Sequence, residues 1–411
     1  MMRSRVVRRF YHAWVALENP SGKFEDTRDS ETALMRAHFS TALELCARSK
    51  GLRRRKKNCT VVPALDPIKT NSQAEVLSTH TAALFQAAVA RSVELLRAGM
   101  VVALPTETVY GLAANALDAR AVARIFEIKG RPAHNPVIVH IVGAEMARRC
   151  VAEWPPLADR LARAFWPGPL TLVLPKSPEI PDIVTAGGPT VGVRWPSHPF
   201  VQAVIQECGF PLAAPSANLS NRVSPTNAVH VAKSLGDKIP LIVDGGQCQV
   251  GIESTVLDLM ANPPRILRPG MIHDESLRAV MFGNESITQG HAPKETAKEA
   301  LRSPGMLPRH YSPRARLDIL SWRDTGDLMS QIAGHKLKTA NIHVIAHTVI
   351  PAGGEFGRVS VIPHDAEAFA RAIYAELHQC DEAEAELIVV EAPPETKEWR
   401  AIADRLKRAA N

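Results

Sequence analysis

Hydroxyl, amide and basic side chains recur in short clusters through the middle of the chain. They are Thr106 with Thr108, then Lys129, Arg131, Asn135 and His140, then Thr190 with Arg194. Ser216, Asn218, Ser220 and Ser224 follow, and Gly251-Ile252-Glu253-Ser254-Thr255 and Arg268-Pro269-Gly270 complete the set. Arginine grips a carboxylate or phosphate through a forked pair of hydrogen bonds, and lysine adds a point charge. Such a set makes a site for anions. The sequence holds no convincing Ser-His-Asp order, no paired acids and no metal-ligand spacing. Catalysis by positioning and charge stabilisation is the chemistry left, as phosphoryl and nucleotidyl transfer require. Each cluster alone has a plainer job. Lys129 and Arg131 complement a helix dipole, His140 is a satisfied core histidine, and Ser216 and Asn218 form a turn. Thr106 and Thr108 bond backbone, and Glu253 is a solvated carboxylate. Only their co-occurrence argues for a site.

The elements that must gather these groups are legible from Leu104 to His140. The apolar run Met100–Leu104 reads as a strand stopped by Pro105, a polar turn carries the two threonines, and Gly111 permits close backbone approach. Asp118 caps a helix through Val122, Ile125, Phe126 and Ile128, which Lys129-Gly130 and Pro132 end. Val137–Ile141 is the next strand. An earlier helix runs from Thr81 through Leu96. Two more follow near Ala144–Val151 and Pro156–Phe165, and a short one after Pro199. Strands are expected at Leu170–Leu174, Thr190–Trp195, Pro211–Ala214, Leu241–Asp244, Thr255–Leu259 and Arg265–Leu267. Ser224 or Thr226 can cap the helix through Val231, with Pro225 in its first turn. Alternation of strands and helices predicts one α/β domain, residues 74–282, with a twisted, mixed open sheet. Residues 283–316 read as a linker, although Met306, His310 and Tyr311 suit a segment that docks. A smaller C-terminal α/β (Rossmann-like) domain is expected at 317–411, with no catalytic cluster of its own. Its strands are Leu317–Leu320, Asn341–Ile345, Arg358–Ile362 and Leu387–Glu391, its helices Ala366–Leu377 and Trp399–Ala410.

Length and charge set the bounds. At 411 residues, two or three domains are expected. A net charge of +7 favours an anionic partner such as a nucleotide, phosphate or RNA. Part of that charge is the run Arg53-Arg54-Arg55-Lys56-Lys57, which reads as solvated and lies in a basic extension, residues 1–73. Arg3, Arg5, Arg8 and Arg9 open that extension without an acid. This fits an organelle-targeting peptide and hence a mitochondrial protein, or equally an extension of a cytoplasmic one; acids from Glu18 onward favour the cytoplasmic reading. Six scattered cysteines fit a reducing compartment. No apolar run is long enough to span a bilayer, so no membrane partner is expected. No Gly-x-Gly-x-x-Gly follows a strand and no P-loop occurs, which disfavours the ordinary dinucleotide and NTPase folds.

Seven segments together resemble the YrdC-like domain of the threonylcarbamoyl-AMP synthase family: PTETVYGL, KGRPAHNPVIVHI, WPGPLTLVL, TVGVRWPSHP, APSANLSNRVSPT, GIESTVLDL and ILRPG. They cover about Ala83 to Leu277 in the family's order. SPGMLPRHYSP and the trailing α/β unit resemble the family's long form, with a linker and a C-terminal domain. The first seventy or so residues match nothing in it. Where members often carry Gly-Leu-Gly-x-Ala-Ile before the last helix, this chain has Lys397-Glu398-Trp399-Arg400-Ala401-Ile402, though Ala403-Asp404-Arg405-Leu406 still fits.

The resemblance implies a nucleotidyltransferase that makes threonylcarbamoyl-adenylate and pyrophosphate from L-threonine, bicarbonate and ATP. A partner complex would use the product to modify the adenosine next to the anticodon of certain tRNAs. By motif, Thr106, His140, Thr190, Arg194 and Ser254 would hold threonine, with Arg194 on its carboxylate. Lys129, Arg131, Asn135, Ala214 (through its backbone), Ser216, Asn218, Ser224 and Arg268 would surround the nucleotide, and Ser254 faces its phosphates too. Lys129 and Arg131 would carry the catalysis. Tyr311 would lie over the occupied site as part of a lid. Magnesium (Mg2+) would come on the phosphates, held mostly by water and nucleotide, with no protein metal site. Two rivals stand beside this reading. One is a double-stranded-RNA- or tRNA-binding module of the same fold without chemistry, betrayed by salt-sensitive RNA affinity. The other is a carbamoyl-transferring maturation factor, whose acylphosphatase and zinc-finger segments are missing here.

Overall fold

The protein is described from a computed structural model covering residues 73–282, 310–352 and 356–411. The N-terminal extension with its basic run, Cys46 and Cys59, and the linker up to residue 309 with Met306, lie outside the described residues.

Ten strands build the first sheet, in the order β1-β8-β2-β3-β7-β4-β6-β5-β9-β10. They are β1 (Glu75–Ser78), β2 (Val102–Leu104), β3 (Gly111–Asn115), β4 (Val139–His140), β5 (Leu170–Pro175), β6 (Thr190–Arg194), β7 (Leu212–Ala213), β8 (Leu241–Asp244), β9 (Thr255–Asp258) and β10 (Arg265–Arg268). Pairing is mixed: β1 with β8 and β4 with β6 are parallel, while β2 with β3 and β3 with β7 are antiparallel. Seven helices flank it: α1 (Ala82–Arg97), α2 (Ala119–Lys129), α3 (Gly143–Cys150), α4 (Pro156–Phe165), α5 (Pro199–Cys208), α6 (Ala228–Leu235) and α7 (Asp274–Phe282). One core packs α2 and α6 against the sheet through Val122, Ile125 and Val231, and a second packs α1 and α5 through Val93, Leu96, Phe200 and Val204.

The second sheet is wholly parallel, β11 (Arg316–Leu320), β14 (Leu387–Glu391), β12 (Ile342–Ala346) and β13 (Arg358–Val361) in that spatial order. Its helices are α8 (Thr325–Ile332), α9 (Ala366–Glu382) and α10 (Arg400–Ala410). Helices α9 and α10 present Phe369, Ile373, Tyr374, Ile402 and Leu406 to a shared core that also takes in Val109, Val223 and Ile252 from the first sheet's loops. Contact is tight at Gly251. Its φ is +86°, and a Cβ there would meet the Ala370 carbonyl oxygen and the Arg371 Cα at 2.4 Å, so only glycine fits.

Helix α2 matches its signals closely: the Asp118 side chain accepts from the Arg120 N–H at 2.9 Å, and Gly130 closes the helix with φ +58°. Two expectations are corrected. The polar turn before α2 contains a strand, β3, whose sequence GLAAN has neither β-branched residues nor alternation because Leu112, Ala113 and Ala114 are buried on both faces. Helix α6 is capped by Asn227, whose Oδ1 accepts from the His230 N–H at 2.9 Å, and not by Ser224 or Thr226. The Ser224 hydroxyl is taken by Glu253, and that of Thr226 lies 3.4 Å from the His230 ring.

Candidate active site

Strands β2, β3, β7, β4 and β6 lie side by side, and the loops at their ends enclose one hollow. Thr106, Arg131, His140, Arg194, Ala214, Ser216, Arg268 and Tyr311 line it, joined by Thr108, Glu253 and His310. Eight of the residues that the resemblance assigns to the site thus share a wall.

The threonine pair forms a directed chain. Thr106 Oγ1 donates to the Val109 carbonyl at 2.6 Å, so Thr108 must donate across the 2.9 Å to Thr106 Oγ1. Thr108 Oγ1 in turn accepts from Arg194 Nη1 at 3.0 Å, and Arg194 Nε reaches the Gly168 carbonyl at 3.3 Å. His140 and Arg194 are paired across parallel strands β4 and β6. Burial, helped by the Arg194 charge, pushes the His140 imidazole down to about 3, so it is neutral. Thr190 stands apart: half-buried, it faces a neighbouring hollow with Thr171, Thr185 and Gly192, which shares Ile138 with the first.

Lys129 ends α2 fully inside, and its Nζ donates to the Ser216 carbonyl at 2.6 Å and to that of Asn218. Burial first, then Arg131, lower its pKa well below that of free lysine. It therefore fixes the loop whose Ser216 faces the hollow. Arg131 Nε donates to the Asn135 carbonyl at 3.0 Å, and Nη2 to Asn135 Oδ1 at 2.7 Å and the Pro136 carbonyl at 2.6 Å, leaving Nη1 for a ligand. Arg268 donates from Nε to the Ser254 carbonyl and from Nη2 to Ser254 Oγ, both at 3.1 Å. Ser254 Oγ also lies 2.8 Å from Thr171 Oγ1. Asn218 Nδ2 donates to the Leu219 and Arg222 carbonyls. Asn135, Asn218, Ser224 and Ser254 thus sit behind the wall and brace it.

Three acidic or aromatic groups in or behind this wall were given no role by the resemblance. Glu107, between the two threonines, pairs with Arg194. His310 lines the hollow beside Tyr311, its ring pushed down to about 3 by burial. Glu253 is buried, not solvated, and Ser224 Oγ donates to its Oε1 at 2.6 Å. Burial works to raise the Glu253 carboxyl, and the Arg405 and Arg268 guanidiniums overcome it, so the group is held below the usual range. Tyr311 is 1% exposed with φ +63°, a left-handed conformation a tyrosine adopts only when packing dictates it. With Tyr311 and His310 in place the free space is about 50 Å³, far under the roughly 300 Å³ and upward of pockets that take ligands of nucleotide size. The site is closed. Among the described residues no group of three metal-ligating side chains converges, and no helix is long and apolar enough to cross a membrane.

Comparison with known proteins agrees with this geometry. The Sua5/YciO/YrdC family model, described as telomere recombination, matches residues 94–270. A second, described as the C-terminal domain of threonylcarbamoyl-AMP synthase, matches 272–411. Threonylcarbamoyl-AMP synthase of Pyrococcus abyssi is 41% identical over 318 residues, 77% of this chain and 92% of that protein. The Bacillus subtilis protein of the same name is 40% identical over 326 residues, 78% and 92% of the two chains. The crystal structure of P. abyssi Sua5 complexed with L-threonine superposes with a TM-score of 0.72 at 36% identity, covering 82% of this chain and 98% of that one.

Proposed function

The chain belongs to the threonylcarbamoyl-AMP synthase family in its two-domain form, and on that premise we propose that it is a nucleotidyltransferase condensing L-threonine, bicarbonate and ATP. The observation that carries the reading is the single closed hollow shared by Arg131, Arg194 and Arg268 with Thr106, Ser216 and Tyr311. Arg194 takes the threonine carboxylate, and the 106–108 hydroxyls and neutral His140 orient the rest of the amino acid. The threonine amine attacks bicarbonate-derived carbon, giving a carbamate and water. A carbamate oxygen then attacks the α-phosphorus and pyrophosphate leaves. Both steps build negative charge, which Arg131 and Arg268 offset where water is excluded, while Lys129 behind them holds the Ser216 loop in place.

Magnesium would come with the ATP. Glu253 in the wall and Glu107 behind it are already committed to arginines, so phosphate and water would hold the ion, which would neutralise triphosphate charge. The product would feed a tRNA-modifying transferase complex in the cytoplasm. A module that only binds RNA fits less well, because these cations face an enclosed space and not an open surface.

Pyrophosphate release with ATP and bicarbonate tests the reading, comparing threonine, serine and no amino acid. Threonine-dependent release is expected; release indifferent to the amino acid rules the assignment out.

A further inference from the structure

Glu253 is the carboxylate in the wall of a hollow whose charged lining is otherwise Arg131, Arg194 and Arg268, and a bare carboxylate there would repel a triphosphate. Its two oxygens are held by Ser224 and by two residues of the second domain. Tyr374 on α9 donates its hydroxyl at 3.1 Å, and Arg405 on α10 its Nε at 2.8 Å. Arg405 is 1% exposed. Its Nη2 also donates to the Pro269 carbonyl at 3.0 Å, next to Arg268, and its guanidinium carbon lies 5.3 Å from the Tyr311 ring centroid. One cation of the C-terminal helix thus touches the acid, the turn that carries Arg268 and the tyrosine closing the site.

Resting on the reaction proposed above, we propose that Arg405 is a positioning residue for the nucleotide: it neutralises Glu253, so that the acid neither repels the triphosphate nor pulls Arg268 toward itself. The second domain then completes the active site by supplying a charge. Without Arg405 an ionised Glu253 faces the triphosphate and draws on Arg268, the other guanidinium that acts on it. Both effects weaken the hold on the phosphates, because charges act far more strongly on one another in a dry interior than in water. Arg405 itself does not line the hollow and acts through Glu253, which does. Gly251, which only a glycine can occupy against α9, keeps the 249–254 loop and its acid within reach.

The test uses the full chain, without threonine, and an α,β-methylene analogue of ATP, whose bridge blocks the loss of pyrophosphate, with binding followed by calorimetry. Arg405→Met is expected to weaken the analogue about tenfold or more and to raise the KM for ATP by a like factor, with kcat changed less. Arg405→Met combined with Glu253→Gln is expected to regain most of that affinity, because the neutral amide needs no counter-charge yet still accepts from Ser224. Arg405→Lys, which keeps the charge and loses the fork, should bind at an intermediate level and folds even if the methionine variant does not. The idea is overturned if the double variant binds no better than Arg405→Met, or if the lysine variant binds no better than the methionine one. It is overturned equally if Arg405→Met binds like the parent chain. Failure of the parent chain to release pyrophosphate with threonine would instead strike the reaction, leaving the analogue-binding comparison readable.

Discussion

Arg194 and Glu107 form an ion pair inside the protein, Nη2 to Oε1 at 2.7 Å, with their side chains 4% and 5% exposed. Burial alone would raise the Glu107 carboxyl, and the Arg194 charge more than reverses that. With Nη1 on Thr108 and Nε on Gly168, the guanidinium is fixed before any substrate arrives. A preset fork loses little entropy when it receives a carboxylate.

Arg194→Met should therefore raise the KM for threonine. Charge-assisted bonds of this kind contribute about 1.5–3 kcal/mol, or roughly 10–150-fold. Stability should fall as well, by about 3–5 kcal/mol, because Glu107 is left buried without a partner. Adding Glu107→Gln should restore much of the stability and none of the threonine affinity. Urea unfolding beside threonine titrations separates the two, and an unchanged KM would remove Arg194 from the substrate.

Lys129→Ala or Arg131→Ala should abolish adenylate formation, with a loss of at least about 10²-fold as for removed transition-state donors. The fold should survive. Since Lys129 also satisfies the Ser216 and Asn218 carbonyls, its loss is expected to cost about 1–3 kcal/mol besides. Near-ultraviolet circular dichroism with pyrophosphate release checks both. Full release by a well-folded double variant would refute the assignment.

Much of this site was written in local sequence. Asp118 and Gly130 mark the ends of α2, and that helix alone sets Lys129 and Arg131 where they stand. Strand β3 was not legible, since a strand buried on both faces by Leu112, Ala113 and Ala114 shows no alternation. Glu253 was visible in its motif but read as solvated, because the residues that bury it, Tyr374 and Arg405, lie 121 and 152 positions away. Arg405 showed only within Ala403-Asp404-Arg405-Leu406, the stretch of the last helix that still fits the family's pattern, with no role attached to it. Groups supplied across a domain contact are set by packing, which no local pattern records.

Acid should destabilise the protein well before its carboxylates titrate. His140 and His310 sit at about 3 in the folded chain, against about 6.5 when unfolded. Below pH 6.5 the unfolded chain therefore binds protons that the folded one refuses, so stability falls as pH falls toward 3. Each histidine contributes a slope of about 1.4 kcal/mol per pH unit in that window. Glu107 and Glu253, both held below the usual carboxylate range, add their loss only at more acid pH. A urea midpoint that stays flat from pH 6.5 to 4.5 would show that these rings are not buried and neutral. His310→Gln should flatten the slope by one histidine's share.

Deleting Ser303–Pro313 should injure turnover more than stability. Of this segment, His310–Pro313 is described: the His310 N–H donates to the Arg408 carbonyl at 3.2 Å, and the Ser312 N–H to that of Asn221 at 2.9 Å. These bonds seat Tyr311 over a hollow with about 50 Å³ left free, so the segment must lift to admit ATP and settle again to exclude water. Without it nucleotide enters freely, but the carbamate and the adenylate lie open to hydrolysis. We expect kcat to drop by about tenfold or more, with more AMP formed per threonylcarbamoyl-adenylate. Tyr311 also packs on Tyr374, with ring centroids 5.9 Å apart, so some loss of melting temperature is expected too. The AMP-to-adenylate ratio distinguishes the effects, because a merely destabilised protein makes less of both in constant proportion. Turnover and ratio both unchanged would mean that the segment is not a lid.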